Sequence, residues 1–164
     1  MIDRAYAITM ARYNRWMNAR LYACAERLSD EQRRQDRGAF FKSLHGTLDH
    51  LISGDTMWMY RFTGRSIENL TLGGRFDTFA EMRAHRESLD QEISAWAATV
   101  DSTWLASDFA YYSKAYDMHY TKPAWLLVTH FFNHQTHHRG QATTLLMQFG
   151  IDPEATDLPV MPGT

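Results

Sequence analysis

Half of the histidines in this 164-residue chain lie within nine consecutive positions, where they could form a metal site. His130, His134 and His138 are spaced four residues apart, and His137 precedes the last of them. Residues four apart lie on one face of an α-helix, so two neighbouring histidines could direct their ring nitrogens at one ion. The first and third are about 12 Å apart along the helix axis, so only one adjacent pair can share an ion.

A third ligand must come from another part of the chain. The segment "SLHGTLDHLISGD" contains His45 and His50, and His50 lies on the same predicted helix face as Gly54. His50 could therefore face the interior between two helices. Three neutral imidazoles and a water molecule form a site that suits Zn²⁺, Ni²⁺ or Fe²⁺.

The spacing alone leaves a purely structural role open, because histidines at helix interfaces often hydrogen-bond to carbonyl or carboxylate groups. We expect His137 to be structural or exposed to solvent. Arg139 and Gln141 follow the last histidine of the series. Either residue could anchor a carboxylate or orient a metal ligand, and we expect Arg139 to hold a carboxylate of the cofactor or substrate.

The elements that would position these residues are helices. Apolar residues recur every three or four positions, which predicts four long helices at about 3–28, 42–62, 77–99 and 121–149. Ser29 or Asp30 should cap a short turn after the first helix, and Asp77 or Thr78 should cap the third. Residues 101–121 are rich in aromatic residues without a helical period, so we predict an extended excursion that could form a loose hairpin. Pro123 is expected in the first turn of the fourth helix.

These elements predict an all-α protein, a four-helix bundle with a long connection between helices 3 and 4, formed as a single domain over residues 1–164. The net charge of -2 offers no basic excess, so we expect no nucleic-acid partner and no anionic membrane surface as partner. No apolar stretch is long enough for a membrane span, and the first residues do not resemble a secretory signal. The single cysteine, Cys24, excludes an intrachain disulfide and fits a reducing, cytoplasmic location. Because Cys24 lies on the apolar stripe of the first helix, we expect a small core residue.

Four sequence blocks together resemble the DinB-like family of damage-inducible bacterial proteins over residues 13–159. The blocks are "YNRWMNARL", "SLHGTLDHLISGDTMWMYRF", "HFFNHQTHHRGQATTLLMQFG" and "DPEATDLP". The resemblance implies a four-helix bundle, usually homodimeric, with a divalent metal ion on three histidines. The family's ligand on the second helix matches His50, and its HxxxH pair on the last helix matches His134 and His138.

The resemblance also implies classes of function. The family is similar to thiol-dependent transferases that use bacillithiol or mycothiol, which implies a metal-dependent S-transferase with Zn or Ni, or alternatively Fe, and a low-molecular-weight thiol. A metal-dependent hydrolase is a second hypothesis. A third is a non-catalytic stress-response dimer that binds a metal or small ligand. Large aromatic residues spread around the helix faces also favour a homodimer. They are Trp16, Tyr22, Trp58 and Tyr60.

Overall fold

A computed structural model describes residues 2–68, 70–71, 73–114 and 116–163. Its elements, in chain order, are α1 (Arg4–Glu26), α2 (Asp30–Arg34), α3 (Leu44–Phe62), α4 (Phe79–Ala97), α5 (Ser102–Ala106), β1 (Asp108–Ser113), β2 (Met118–Pro123) and α6 (Ala124–Met147). A single 3-10 turn, Leu158–Val160, lies in the C-terminal tail. The four long helices α1, α3, α4 and α6 correspond to the four that the sequence predicts.

The helices begin where the sequence provides capping side chains. Ser29 forms a capping box with Gln32 at the start of α2, which confirms the short turn predicted there. Thr78, rather than Asp77, caps α4 and forms a capping box with Glu81. α3 begins at Leu44 because residues 39–42 form a tight turn that a helix cannot include, with Lys42 at a φ of 65°.

The bundle core consists of the apolar stripes that helical periodicity predicts. α1 packs against α4 and α6, and α3 packs against the same two helices. The apolar stripe of α4 is buried, and Phe62 at the end of α3 stacks on Trp96 with ring centroids 5.0 Å apart. The residues of that stripe are Phe79, Met82, Leu89, Ile93 and Trp96. The fold is thus the predicted all-α four-helix bundle with a long connection between its third and fourth long helices. In the described residues, no helix has an apolar stretch sufficient to cross a bilayer.

The long connection contains an antiparallel hairpin that packs beside α3. β1 and β2 pair from Asp108↔Pro123 to Ser113↔Met118. This confirms the hairpin, whereas the short helix α5, which is capped by Asp101, was not predicted. Pro123 ends β2 and stands immediately before α6, not inside its first turn as expected.

A buried polar network links all four long helices. Arg86 of α4 donates to Asp55 Oδ2 of α3 at 2.6 Å and lies 2.8 Å from Asp90 Oδ1. Gln135 of α6 donates to Asp55 Oδ1 at 3.0 Å, and Asn18 of α1 donates to Asp90 Oδ1 at 2.9 Å. Since all these side chains are buried, the charges must compensate one another inside the bundle.

The network predicts that replacing either of two nearby arginines of α4 has a very different effect on the stability of the protein. Arg86→Met should lower the free energy of unfolding by about 3–5 kcal/mol, because it leaves two carboxylates buried without their cation. Arg83, whose ion pairs to Glu26 and Glu87 lie at the surface, is the matched control. Arg83→Met should cost about 1 kcal/mol or less in urea unfolding. A small loss for both variants would contradict this account of the core.

Candidate metal centre

Three histidines from two helices meet at one point on the side of the bundle. His50 comes from α3, and His134 and His138 come from α6; one side-chain nitrogen of each lies within 4.8 Å of the others. His50 Nε2 and His134 Nε2 are 3.2 Å apart. Two nitrogen ligands of a tetrahedral ion, with metal–nitrogen bonds of about 2.0–2.1 Å, are separated by about 3.3 Å. The three nitrogens therefore fit one metal ion.

His130, the first member of the series on α6, is outside this cluster. Its ring centroid is 5.9 Å from that of His134, and its ring meets the Trp58 ring edge-on at 5.4 Å. This placement follows from the helix geometry, since only one adjacent pair of the series can reach a common ion.

Gln141, one turn beyond His138, fixes the orientation of that ring. His138 Nδ1 is 2.7 Å from Gln141 Oε1. An amide oxygen only accepts, so Nδ1 carries the proton and the lone pair of Nε2 is free to bind a metal ion. The amide nitrogen of Gln141 lies 3.3 Å from His137 Nε2. His137 is exposed to solvent and supports the Gln141 side chain through this contact. Both placements agree with the roles expected for Gln141 and His137.

Two glycines of α3, Gly46 in its first turn and Gly54 in its interior, make room for the site. A Cβ atom on Gly54 would lie 2.9 Å from His134 Cε1, and one on Gly46 would lie 2.3 Å from the carbonyl oxygen of Phe41. The close approach places the Phe41 ring on the His50 ring, with centroids 3.9 Å apart. The sequence analysis did not identify Phe41 or Gly46 as residues that shape the site. Glycine inside a helix, which costs helix stability, was the available signal.

The environment keeps the cluster neutral. Burial, the larger cause, and the neighbouring histidines together lower the pKa of His50 to about 4 and that of His134 to about 3. Burial also lowers the pKa of His138, against the opposing effect of its hydrogen bond to Gln141. Neutral imidazole is the form that binds metal ions, so the three rings are ready to bind at neutral pH without releasing protons.

A cavity of about 640 Å³ opens beside the cluster, between α3, the loop that follows it and the hairpin. His50 and His134 border it, and Trp58, Tyr111 and Tyr120 supply aromatic walls. Its cations are Arg61, Lys114 and Lys122. A smaller recess of about 350 Å³ also borders His50. Asp49 lines that recess and accepts a hydrogen bond from the backbone N–H of Gly74.

Arg139 does not take part in the site. It is 3% exposed and lies in the core between α1 and α6, where it donates to Asn14 Oδ1 and Thr136 Oγ1 and covers the Tyr13 ring. The structure therefore contradicts the prediction that Arg139 holds a carboxylate of a ligand there. The reason is geometric: the next residue on a helix points about 100° away from its neighbour, so a residue adjacent to His138 cannot face the same cavity.

Substituting Gly54 tests whether the close approach of α3 and α6 shapes the cluster. Gly54→Ala should weaken Zn²⁺ binding by about tenfold or more, because the added methyl group displaces His134 from its partners. Gly140→Ala is the matched control, since Gly140 lies in α6 and an added Cβ meets nothing within 4 Å. That variant should keep its Zn²⁺ affinity and gain about 0.5–1 kcal/mol of stability. Competition with a chromogenic chelator measures both affinities, and equal affinities would refute the steric account.

Comparisons with known proteins identify the family to which the chain belongs. The family model described as "DinB family" matches residues 1–163. "Protein DinB" of Bacillus subtilis (strain 168) is 24% identical over 157 residues, which cover 93% of this chain and 91% of that protein. The match to the family model extends over nearly the whole chain, including both helices that carry the three histidines. The chain therefore belongs to the DinB family.

Proposed function

We propose that this protein binds one divalent metal ion through His50, His134 and His138 and catalyses the transfer of a small thiol to an electrophilic substrate. The observation that carries the proposal is the convergence of three ring nitrogens, within 4.8 Å of one another, at the edge of a 640 Å³ cavity. A site with three protein ligands leaves a position for an exogenous ligand, as in catalytic centres rather than closed structural ones.

The donor set limits the choice of metal. Three neutral imidazoles suit Zn²⁺ or Ni²⁺, and also Fe²⁺, whereas Mg²⁺ and Ca²⁺ prefer oxygen ligands. When bound, such an ion would lower the pKa of a small thiol and stabilise the thiolate form at neutral pH. The protein supplies the neutral ligands, the aromatic walls that exclude water, and the space for both reactants.

In the proposed reaction the thiol releases its proton to water. The sulfur then forms a bond to a carbon atom of the electrophile, and the leaving group departs with the electron pair of the bond that breaks. Cys24 is not the nucleophile, because burial raises the pKa of its thiol and it does not line the cavity. We expect the reaction to take place in the cytoplasm, where small thiols are kept reduced.

Two alternatives have less support. Hydrolysis would require a general base beside the ion, and the described residues that line the cavity include no aspartate or glutamate. A non-catalytic dimer that binds only a metal ion would have no need of a cavity that opens at the ligand nitrogens, and one that also binds a small ligand is distinguished by the thiol titration below.

We retain the homodimer in the proposal, although fewer exposed aromatic residues support it than the sequence indicated. Tyr22 and Trp58, two of the four aromatic residues that favoured it, are buried inside one chain, at 3% and 5% exposure. Trp16 and Tyr60 remain partly exposed and could pack against a second copy.

The proposed metal site predicts that replacing two adjacent histidines with alanine has different effects on the metal content of the protein. His138→Ala should lose most of its bound metal, because it removes one of three ligands. His137→Ala should retain the metal, since His137 only supports Gln141. Elemental analysis of both purified variants after dialysis gives the ratio of metal to protein. Equal loss from the two variants would show that the ligands have been assigned wrongly.

The thiol step can be followed with cobalt in place of the native metal. Titration of the Co²⁺ protein with bacillithiol or mycothiol should produce a thiolate-to-cobalt charge-transfer band in the near ultraviolet. The Cys24→Ser variant is the control, and it should give the same band, since Cys24 lies outside the cavity. A spectrum that responds to neither thiol would contradict the transferase mechanism and favour the non-catalytic alternative.

A further inference from the structure

We propose that the cavity beside the hairpin selects small molecules that carry a carboxylate on a planar, apolar body. The role of this ligand in catalysis rests on the proposed function. The recognition of its carboxylate, however, depends on residues outside the three-histidine cluster. Arg61 from the end of α3, Lys114 from the hairpin turn and Lys122 from β2 supply the charge.

The cavity has a positive charge that nearby acids do not compensate. Two of the three lysines in the chain line it, together with Arg61. Across the part of the chain that the structure describes, none of these cations forms an ion pair with a carboxylate. A concave surface with one sign of charge and apolar walls concentrates the field, so it attracts ligands of the opposite charge.

Arg61 is held in a fixed orientation at the wall of the cavity. Its guanidinium carbon lies 4.7 Å from the ring centroid of Trp58 and 4.7 Å from that of Tyr111. One terminal nitrogen donates to the carbonyl oxygen of Tyr112 at 3.0 Å, and Nε is buried without a hydrogen-bond partner. Because Arg61 lines the cavity in this fixed orientation, its terminal N–H groups, rather than the buried Nε, are suited to a carboxylate.

The apolar walls define the rest of the ligand. Tyr111 and Tyr120 stack at 5.6 Å across the hairpin, and Trp58 meets Tyr111 edge-on at 5.3 Å. Flat aromatic surfaces favour a planar, apolar ligand body. The volume of 640 Å³ lies within the range of about 300–1,000 Å³ that is typical of small-molecule sites. A ligand with its carboxylate at Arg61 and the lysines would extend its other end toward His50 and His134.

The test uses two probes of nearly the same shape, the anionic 3-phenylpropanoate and the neutral 3-phenylpropanamide. Their dissociation constants are measured by calorimetry for the metal-free protein and for the Zn²⁺ protein. We expect the carboxylate to bind about fivefold or more tightly than the amide in both forms, with a preference that declines as salt is added. Because the preference is expected without metal, it can be observed even if the metal-dependent function is wrong.

The variants identify which cations cause the preference. The double variant Lys114→Gln, Lys122→Gln should lose part of the discrimination between the probes, with the remainder due to Arg61, and both lysine side chains are exposed enough to be replaced without disturbing the fold. Lys42→Gln, which changes the one lysine outside the cavity, should retain it. Equal affinity for the two probes, or a preference that disappears when the metal is removed, would overturn the proposal.

The carboxylate could belong to the small thiol or to its electrophilic partner. Repeating the titration of the Zn²⁺ protein in saturating bacillithiol distinguishes these sources. Competition between the two ligands assigns the cations to the thiol, and simultaneous binding assigns them to the electrophile. Either result supports a carboxylate site in the cavity.

Discussion

The close packing of α3 against α6 at two consecutive residues determines both the core and the candidate metal centre. Gly54 lies directly against the ring of His134, and the next residue of each helix, Asp55 and Gln135, form a buried hydrogen bond of 3.0 Å. The two helices are therefore joined by a polar contact inside the bundle and by a histidine contact at its side. Any shift of one helix along the other would break the first contact and separate the ligands of the second.

The two contacts use polar groups in different ways. In the core, the charges of Asp55 and Asp90 are compensated by Arg86, so the network needs no external partner. At the side of the bundle, His50, His134 and His138 are crowded and remain neutral because burial lowers their pKa values. Three neutral imidazoles, each with a ring nitrogen within 4.8 Å of the other two, constitute a candidate site for a cation.

Local patterns in the sequence predicted those parts of the structure that depend on periodicity and short-range contacts. Helix spacing identified the bundle, capping residues such as Thr78 identified helix starts, and the four-residue spacing on α6 identified a pair that could share an ion. The helix face that His50 shares with Gly54 made it the candidate for the third ligand. Only the family resemblance matched it with His134 and His138 as one set, because spacing on one helix does not show which residue of another helix it meets.

Features that depend on tertiary packing were missed. The direction of Arg139 is fixed by Asn14 of α1, and the two lysines of the cavity are brought to α3 by a hairpin whose position no local pattern reveals. Phe41 reaches the ring of His50 only because the turn before α3 folds back over Gly46.

The central claim, that the three histidines form one metal site, is tested most directly by diffraction from crystals of the metal-loaded protein. Data collected on both sides of the absorption edge of the bound metal should give one anomalous peak per chain, at bonding distance from the ring nitrogens of His50, His134 and His138. The peak should border the aromatic cavity, on the side left open by the three ligands. A peak at another position, or no peak in crystals of protein that elemental analysis shows to contain metal, would contradict the account.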